Sequence, residues 1–529
     1  GEAIEAKALQ FLSTGHIDLL DRLLEQVPES VLLLTQIPGV GPRTARLVFQ
    51  QLGIRSPEEL EQAARQGRLR QVKGLGPRTE QAILEGIQQW RQRQGEISLA
   101  HLLVAGEQVA KALQAVEGVG RVVLAGSVRR ARETGSDVDL VAELISPARA
   151  LEGLRVLGQP DPGEWPGTWR LRASGPGGIP VDLWLVQPER FWALVWFATG
   201  PAPHVEAVQQ RLHQAGLRWE RGLVVGPDGQ GRPLQEESEL YRWCGLPWIA
   251  PELRWGEDEL ELADRHLLPD RLLEPEDLRG ELHVHTEASD GAASALEMVE
   301  AALARGLEYV AVTDHSGSLA VAHGLSVERL KQQQQMLREL DSRMSARRRE
   351  RDGEAAGIRV LAGAEVDILP EGELDYPPEV LASLDVVIAS VHTHFRQERQ
   401  AMTRRLVRAC EEPHVHVLAH PTGRLLGRRS AYDVDLEVLL QAAARTGTAL
   451  EINGSPDRLD LEARWARQAR RQGVRLVVSS DAHSPAQLAF ARYGVLVARR
   501  AGLGPQDVLN TLPAEQLLEE LHRKGKPGR

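Results

Sequence analysis

Cysteine is almost missing: Cys244 and Cys410 are the two in 529 residues. Far apart in sequence, they form no metal-type cluster, and a reduced, cytoplasmic setting is the simplest expectation. Also missing is any stretch near the ~20 apolar residues of a membrane span, so no membrane association is expected. No apolar amino-terminal segment reads as a signal peptide. An excess of positive charge is lacking too. The formal net charge of -11 argues mildly against a nucleic-acid binder, because phosphate neutralisation is the largest electrostatic contribution to such binding. Lysine is scarce beside arginine, whose planar fork suits bidentate phosphate contacts.

What is present is length for about three or four domains with real cores. The composition, 42% hydrophobic and 26% charged, is that of a globular protein. The chain opens "GEAIEAKALQFL", without methionine and inside what reads as a helix, as a truncated amino terminus would. Charge is unevenly spread. Residues 37–93 carry ten Lys or Arg against five acids, a local excess where DNA is expected.

Within that basic stretch one unit occurs twice, "IPGVGPRTARLVFQQLGI" (37–54) and "VKGLGPRTEQAILEGIQQW" (72–90). Each is Gly-x-Gly-Pro-Arg-Thr followed by apolar residues at helical spacing. Gly39, Gly41, Gly74 and Gly76 permit a tight turn and close backbone approach. Pro42 and Pro77 suit the first helical turn. The free amides there can bind an anion beside Arg43 and Arg78. Glycine-punctuated turns used only for packing are the alternative. The repeat resembles the helix-hairpin-helix motif, and that resemblance implies a grip on the DNA backbone that reads no bases.

"RVVLAGSVRR" reads as a strand entering a turn, and "SDVDLVAEL" as a second strand that puts Asp137 and Asp139 on one face. A third acid, Asp182, stands in the alternating strand "IPVDLWLV". Three carboxylates on neighbouring strands can hold two divalent cations, magnesium or manganese. Gly126 and Ser127 offer donors to phosphate oxygens, and Arg130 offers charge. The stretch reads as a nucleotidyl-transfer site, with solvated surface acids as the bland alternative. Downstream, "FWALVWFATGPAPHVEAV" (191–208) resembles a segment of the family X DNA polymerases, in which an aromatic pair precedes Thr-Gly. Trp196, Phe197, Thr199 and Gly200 match it. The resemblance implies packing on the incoming sugar; ordinary core aromatics are the alternative. "LYRWCGLPWIAPEL" (240–253) is similar to the end of that polymerase core. Three positions depart from the family. Ser136 stands for a glycine, although Gly135 is adjacent, Val205 for an asparagine that contacts nucleotide or minor groove, and Pro201 interrupts Gly-Ser. All metal aspartates remain, so weakened nucleotide selection is expected. Lys7 matches a family lysine that removes 5′-deoxyribose phosphate through a Schiff base; an ordinary surface lysine is the alternative.

Beyond residue 279 histidines cease to be scattered and end strands: "ELHVHTEASDG", "EYVAVTDHS", "VLAGAEVDIL", "VVIASVHTHF", "VHVLAHPTG" and "LVVSSDAHS". Strand, ligand loop and helix repeated in this way place side chains at the carboxyl ends of barrel strands. The candidates are His283, His285, Asp290, His315, Glu365, His392, His420, Asp481 and His483. Mixed imidazole and carboxylate donors in this number suit two or three ions, manganese, zinc or iron rather than magnesium alone, and water activated there would attack phosphorus. His323, His394, His414 and His416 read as incidental, and Arg424 as a phosphate contact. The whole of 280 to about 500 resembles the polymerase-and-histidinol-phosphatase (PHP) domain, in family order and with all nine metal positions filled.

The expected fold is multidomain α/β. A helical helix-hairpin-helix region spans 1–95, a nucleotidyltransferase palm of mixed α+β 96–190 and a fingers-like segment 191–253. An acidic, proline-punctuated linker covers 254–279, and a PHP barrel, a distorted (β/α)7 form by resemblance, 280–529. In that order the parts match bacterial and archaeal family X polymerases. The match implies gap filling in base-excision repair, with 3′→5′ exonuclease or end-cleaning activity in the barrel. Gapped or primed DNA and deoxynucleoside triphosphates are the expected partners of a monomeric enzyme. Two rivals remain: a DNA-bound phosphoesterase whose polymerase half is only a binding module, and a small-molecule phosphatase.

Overall fold

The computed structural model describes residues 31, 34, 37, 39–93, 96–350 and 357–524. Lys7 lies outside them. The chain divides into two compact units, Gly1–Glu96 with Gly427–Arg429, and Ile97–Leu426 with Ser430–Arg529.

In the first unit the repeat forms α1 (Pro42–Leu52) and α3 (Pro77–Arg93), with α2 (Pro57–Arg65) between them. Both repeat helices start at their proline, where a missing N–H leaves no bond unmade. Gly39 and Gly74, at φ +86° and +100°, take turns that other residues resist. The apolar positions of the repeat, among them Val40, Val48, Leu75, Ile83 and Ile87, meet in one buried cluster. Arg70 Nε donates to the buried Glu80 at 2.8 Å, tying the second turn to its helix.

The second unit begins with α4 (Leu99–Gln114), which packs on a five-stranded sheet. Its strands are β1 (Val119–Leu124), β2 (Val138–Leu144), β3 (Asp161–Pro162), β4 (Thr168–Ser174) and β5 (Pro180–Val186), in the order β1-β2-β5-β4-β3. Only β2 and β5 run parallel, with Asp139 directly beside Asp182. The short α5 (Gly126–Arg129) follows β1, and α6 (Phe191–Thr199) and α7 (Ala202–Gln214) follow β5.

Residues 254–279 connect this palm to the barrel, but they are no slack tether. Arg254 is fully buried, donating to Glu237 at 3.1 Å and to the Ile249 carbonyl at 3.1 Å. Helix α8 (Glu259–Asp264) places Glu259 against the buried His204 at 2.8 Å. Asp258 accepts from Arg467 and Arg471, and the Leu273 amide bonds the Leu503 carbonyl at 2.9 Å. Of its acids, Asp258 and Glu274 face arginines of the barrel, and Glu259 and Asp264 face His204 and Arg211 of the palm.

Seven parallel strands then follow in chain order: β6 (Gly280–Val284), β7 (Tyr309–Val312), β8 (Arg359–Asp367), β9 (Val386–Ser390), β10 (Val417–Leu418), β11 (Ala449–Asn453) and β12 (Leu476–Ser479). A parallel bridge between Val284 and Ala482 brings the last strand back to the first. Helices lie between successive strands, as parallel connections require. Residues of one parity, including Tyr309, Ala311, Leu361 and Ile388, share a cluster with Leu517 and Leu521 of the last helix. Val310, Val312 and Val360 join a separate one. All strands therefore end on the same side, where the sequence puts its histidines.

Two candidate active sites

The palm site starts from the register of two strands. Asp139 and Asp182 are neighbours across β2 and β5, and Asp137 precedes β2 by one residue, on the same face as Asp139. Burial first, and then the charges of Asp137 and Asp182, push the Asp139 carboxyl up to about 6. Such mutual repulsion is what a divalent cation relieves, and an all-carboxylate donor set fits magnesium or manganese. A cleft of about 760 Å³ opens before Asp137 and Asp139. Gly126, Ser127, Arg130, Ser136, Asp137 and Asp139 line one wall, and Phe197, Gly200, Pro201 and Val205 the other. Ser136 Oγ lies 3.3 Å from Asp137.

The barrel site draws on six strand ends. His285, Asp290, His315 and His483 form one group, His283, His285 and Asp481 a second, and His315, Glu365 and His392 a third. In each, the donor atoms lie within 4.8 Å of one another. His420 Nε2 lies 2.9 Å from Glu365 Oε1. All nine sequence candidates are thus brought to one place, in overlapping groups that share His285 and His315. Both ring nitrogens of His285, and Nε2 of His283, are buried without a hydrogen-bond partner. Buried polar atoms of this kind are costly unless they bind something, and mixed N and O donors fit two or three transition-metal ions.

Residues 31–89 match the family described as SAM-like helix-hairpin-helix tandem, and residues 281–455 the PHP domain. Over 512 residues the chain is 34% identical to the DNA polymerase/3′-5′ exonuclease PolX of Bacillus subtilis, covering 95% of this chain and 86% of that protein. The chain belongs to the PolX family. Its barrel half is also similar to smaller proteins. A probable phosphatase of Syntrophotalea carbinolica is 30% identical over 244 residues, 44% of this chain and 90% of that protein. One from Thermoanaerobacter sp. (strain X514) is 30% identical over 241 residues, 43% of this chain and 89% of that protein.

Several residues of this PolX-family chain stand elsewhere than their motifs suggest. Trp196 is fully buried, its Nε1 donating to the Tyr241 hydroxyl at 3.3 Å and its ring against Trp219, so it packs in the core and does not line the cleft. Phe197, one position on, packs on Trp165 at 5.0 Å and lines the cleft. Thr199 is buried as well, its hydroxyl bonded to the Val195 carbonyl and to Arg129. Arg424 is spent on the loop 457–462, donating to the carbonyls of Arg458 and Leu459 and to Glu462. The arginine beside the metal ligands is Arg458, with Nε 3.3 Å from Asp481. His416 accepts from the Val387 amide at 3.0 Å, and burial pushes it down to about 3, as suits a structural imidazole.

Four supporting residues escaped the sequence reading. Glu451 Oε1 accepts from His283 Nδ1 at 2.6 Å and its Oε2 from the His420 amide at 2.6 Å. Asp367 accepts from His392 Nδ1 at 2.7 Å, and Asn453 donates to Asp481 at 3.1 Å. In the palm, Arg170 Nε donates to Asp182 at 2.7 Å while its guanidinium lies over Trp184 at 4.4 Å. The one available signal was a carboxylate inside a fully apolar run, as in "ALEIN", since a buried acid needs a partner.

Proposed function

We propose that this protein is a cytoplasmic, monomeric repair polymerase that fills short gaps in DNA and trims the same 3′ terminus in its barrel. What carries the reading is that the palm aspartates, two of them side by side on neighbouring strands, and the barrel donor cluster share no residue and lie in one compact unit of a PolX-family chain. The helix-hairpin-helix turns would hold backbone phosphates through the amides around Gly39, Gly41, Gly74 and Gly76, with Arg43 and Arg78 adding charge. In the palm, Ser127 and the amides after Gly126 donate to the triphosphate of the incoming deoxynucleotide, and Arg130 balances its charge. Phe197, Gly200 and Val205 wall the sugar and base. Asp137, Asp139 and Asp182 would hold magnesium or manganese, which acidifies the primer hydroxyl and neutralises the leaving group. Arg170 keeps the Asp182 carboxylate turned to one side.

In the barrel the nine ligands would hold two or three ions of manganese, zinc or iron, supplying an activated water at neutral pH. Glu451 and Asp367 each take the Nδ1–H of a histidine, which fixes the tautomer and leaves Nε2 free to ligate. Arg458 stands where the charge of a cleaved phosphodiester needs a partner.

A labelled primer on one-nucleotide-gapped DNA with manganese tests this, with and without deoxynucleotides. Lengthening with nucleotides and shortening without them is expected. Asp182→Ala should abolish lengthening and spare shortening, and His283→Ala should do the reverse. Shortening in both conditions by the unaltered protein would make the palm a binding module only.

A further inference from the structure

The turn that carries Arg130 is held from outside the palm. Arg500 ends α10 (Ala491–Arg500), on the barrel side, and is buried. Its Nη1 donates to the Arg130 carbonyl at 2.9 Å and to the Glu252 carbonyl at 3.3 Å. Its guanidinium lies 4.1 Å over Trp255, whose Nε1 returns a bond to the Arg500 carbonyl at 3.1 Å. Three residues further along the turn, Glu133 Oε1 accepts from the Ala463 amide at 2.6 Å, the first residue of α9 (Ala463–Arg471). Between these two anchors Ala131 sits at φ +52°, a left-handed conformation that alanine adopts only where its surroundings enforce it.

We propose that Arg500 and the amino end of α9 are positioning elements of the nucleotidyl-transfer site, by which the barrel fixes the turn that aims Arg130 at the triphosphate. This rests on the reading of the palm as that site. An arginine aimed at phosphate works only if its backbone is fixed before the ligand arrives, because reorganisation subtracts from binding. The palm restrains the turn through its own bonds, from the Ala131 amide to the Val128 carbonyl at 3.0 Å, from the Arg132 amide to the Ser127 carbonyl at 3.0 Å and from the Arg130 side chain to the Thr199 carbonyl. The two barrel bonds hold the Arg130 carbonyl on one side of the strained Ala131 and the Glu133 side chain on the other. Neither anchor is among the nine barrel ligands, so its loss should weaken nucleotide binding and leave hydrolysis alone.

The test is steady-state insertion into one-nucleotide-gapped DNA by the full chain, with nucleotide-free trimming measured on the same preparations. Arg500→Ala should raise KM for the incoming deoxynucleotide about tenfold, the worth of one charge-assisted hydrogen bond, with kcat changed far less. Arg500→Lys retains a donor and should recover part of the loss. Glu133→Ala removes the second anchor from the palm side and should raise KM in the same sense, which keeps the test intact if Arg500→Ala fails to fold. Unchanged KM in folded Arg500→Ala or Glu133→Ala overturns the proposal, and so does an equal fall in insertion and trimming. Absence of insertion by the unaltered protein would instead remove the reading of the palm on which it rests.

Discussion

Adding one methyl group at Gly126 should separate the two chemistries. Gly126 sits at φ +57°, where a side chain alone costs roughly 1–2 kcal/mol. The larger effect is steric. A Cβ there would stand 1.8 Å from Asp139 Oδ2, 2.6 Å from its Cγ and 3.0 Å from its Cβ. Turning the carboxylate relieves the first contact but not the last, so the aspartate or the turn must move. Ordinary contact begins near 3.5 Å, which makes the displacement roughly 0.5 Å at Cβ and up to about 0.9 Å at Cγ. A shift of that size at a reacting centre costs about a hundredfold in rate, or about 2.7 kcal/mol of barrel-independent activation free energy. Gly126→Ala should therefore insert a nucleotide about a hundredfold more slowly in a single-turnover assay and trim the same primer at the normal rate. Insertion within about threefold of the unaltered protein would refute the close approach of the turn to Asp139.

Glu451→Gln removes the charge that orients His283, so trimming should need about tenfold more manganese or beyond for half-maximal rate, with insertion unchanged; a metal titration of both activities checks it. Magnesium as the sole cation should support insertion better than trimming, since the palm offers only carboxylate oxygens and the barrel is rich in imidazole; equal support of both would contradict the donor-set argument. Burial pushes His204 below its ordinary 6.5, although Glu259 beside it pulls the other way. The unfolded chain then binds that proton more readily, so the stability conferred by neutral His204 is complete above about pH 6.5 and is lost on acidification, by up to about 1.4 kcal/mol per pH unit. Denaturant unfolding between pH 7 and 5 should accordingly show a shallower loss in His204→Asn.

The parts legible in the sequence are those whose chemistry is written in consecutive residues. Gly-x-Gly-Pro fixes a turn and a helix start together, Asp137 and Asp139 share a face because a strand alternates, and an apolar run that ends in histidine ends at the mouth of a barrel. What was not legible depends on rotation or on distant strands. Trp196 and Phe197 are adjacent and chemically alike, and only the rotation of α6 decides that one faces Tyr241 and the other the cleft. Glu451 meets His283 only because β11 and β6 belong to one closed ring. Arg424 reads as a phosphate contact in sequence, but the loop 457–462 takes up its donors, and the arginine beside Asp481 is Arg458.

The segment 254–279 reads as a linker from its acids and prolines, whose partners are out of view in sequence. In the structure Asp258 faces Arg467 and Arg471, and Glu274 faces Arg499. Exposed pairs of this kind contribute little each. Here they lie beside buried contacts, Arg254 with Glu237 and His204 with Glu259, where loss of one partner strands a polar group out of water. The connection is thereby part of the scaffold for both sites. It ties α7, which carries Val205 into the nucleotide cleft, to α9, whose first amide holds Glu133. On the proposed reading, a polymerase site and a hydrolytic site that act on one DNA end must not disturb each other's metal ligands. Separate donor sets on a shared rigid frame meet that requirement, because the frame can fix the position of a turn without lending it a ligand.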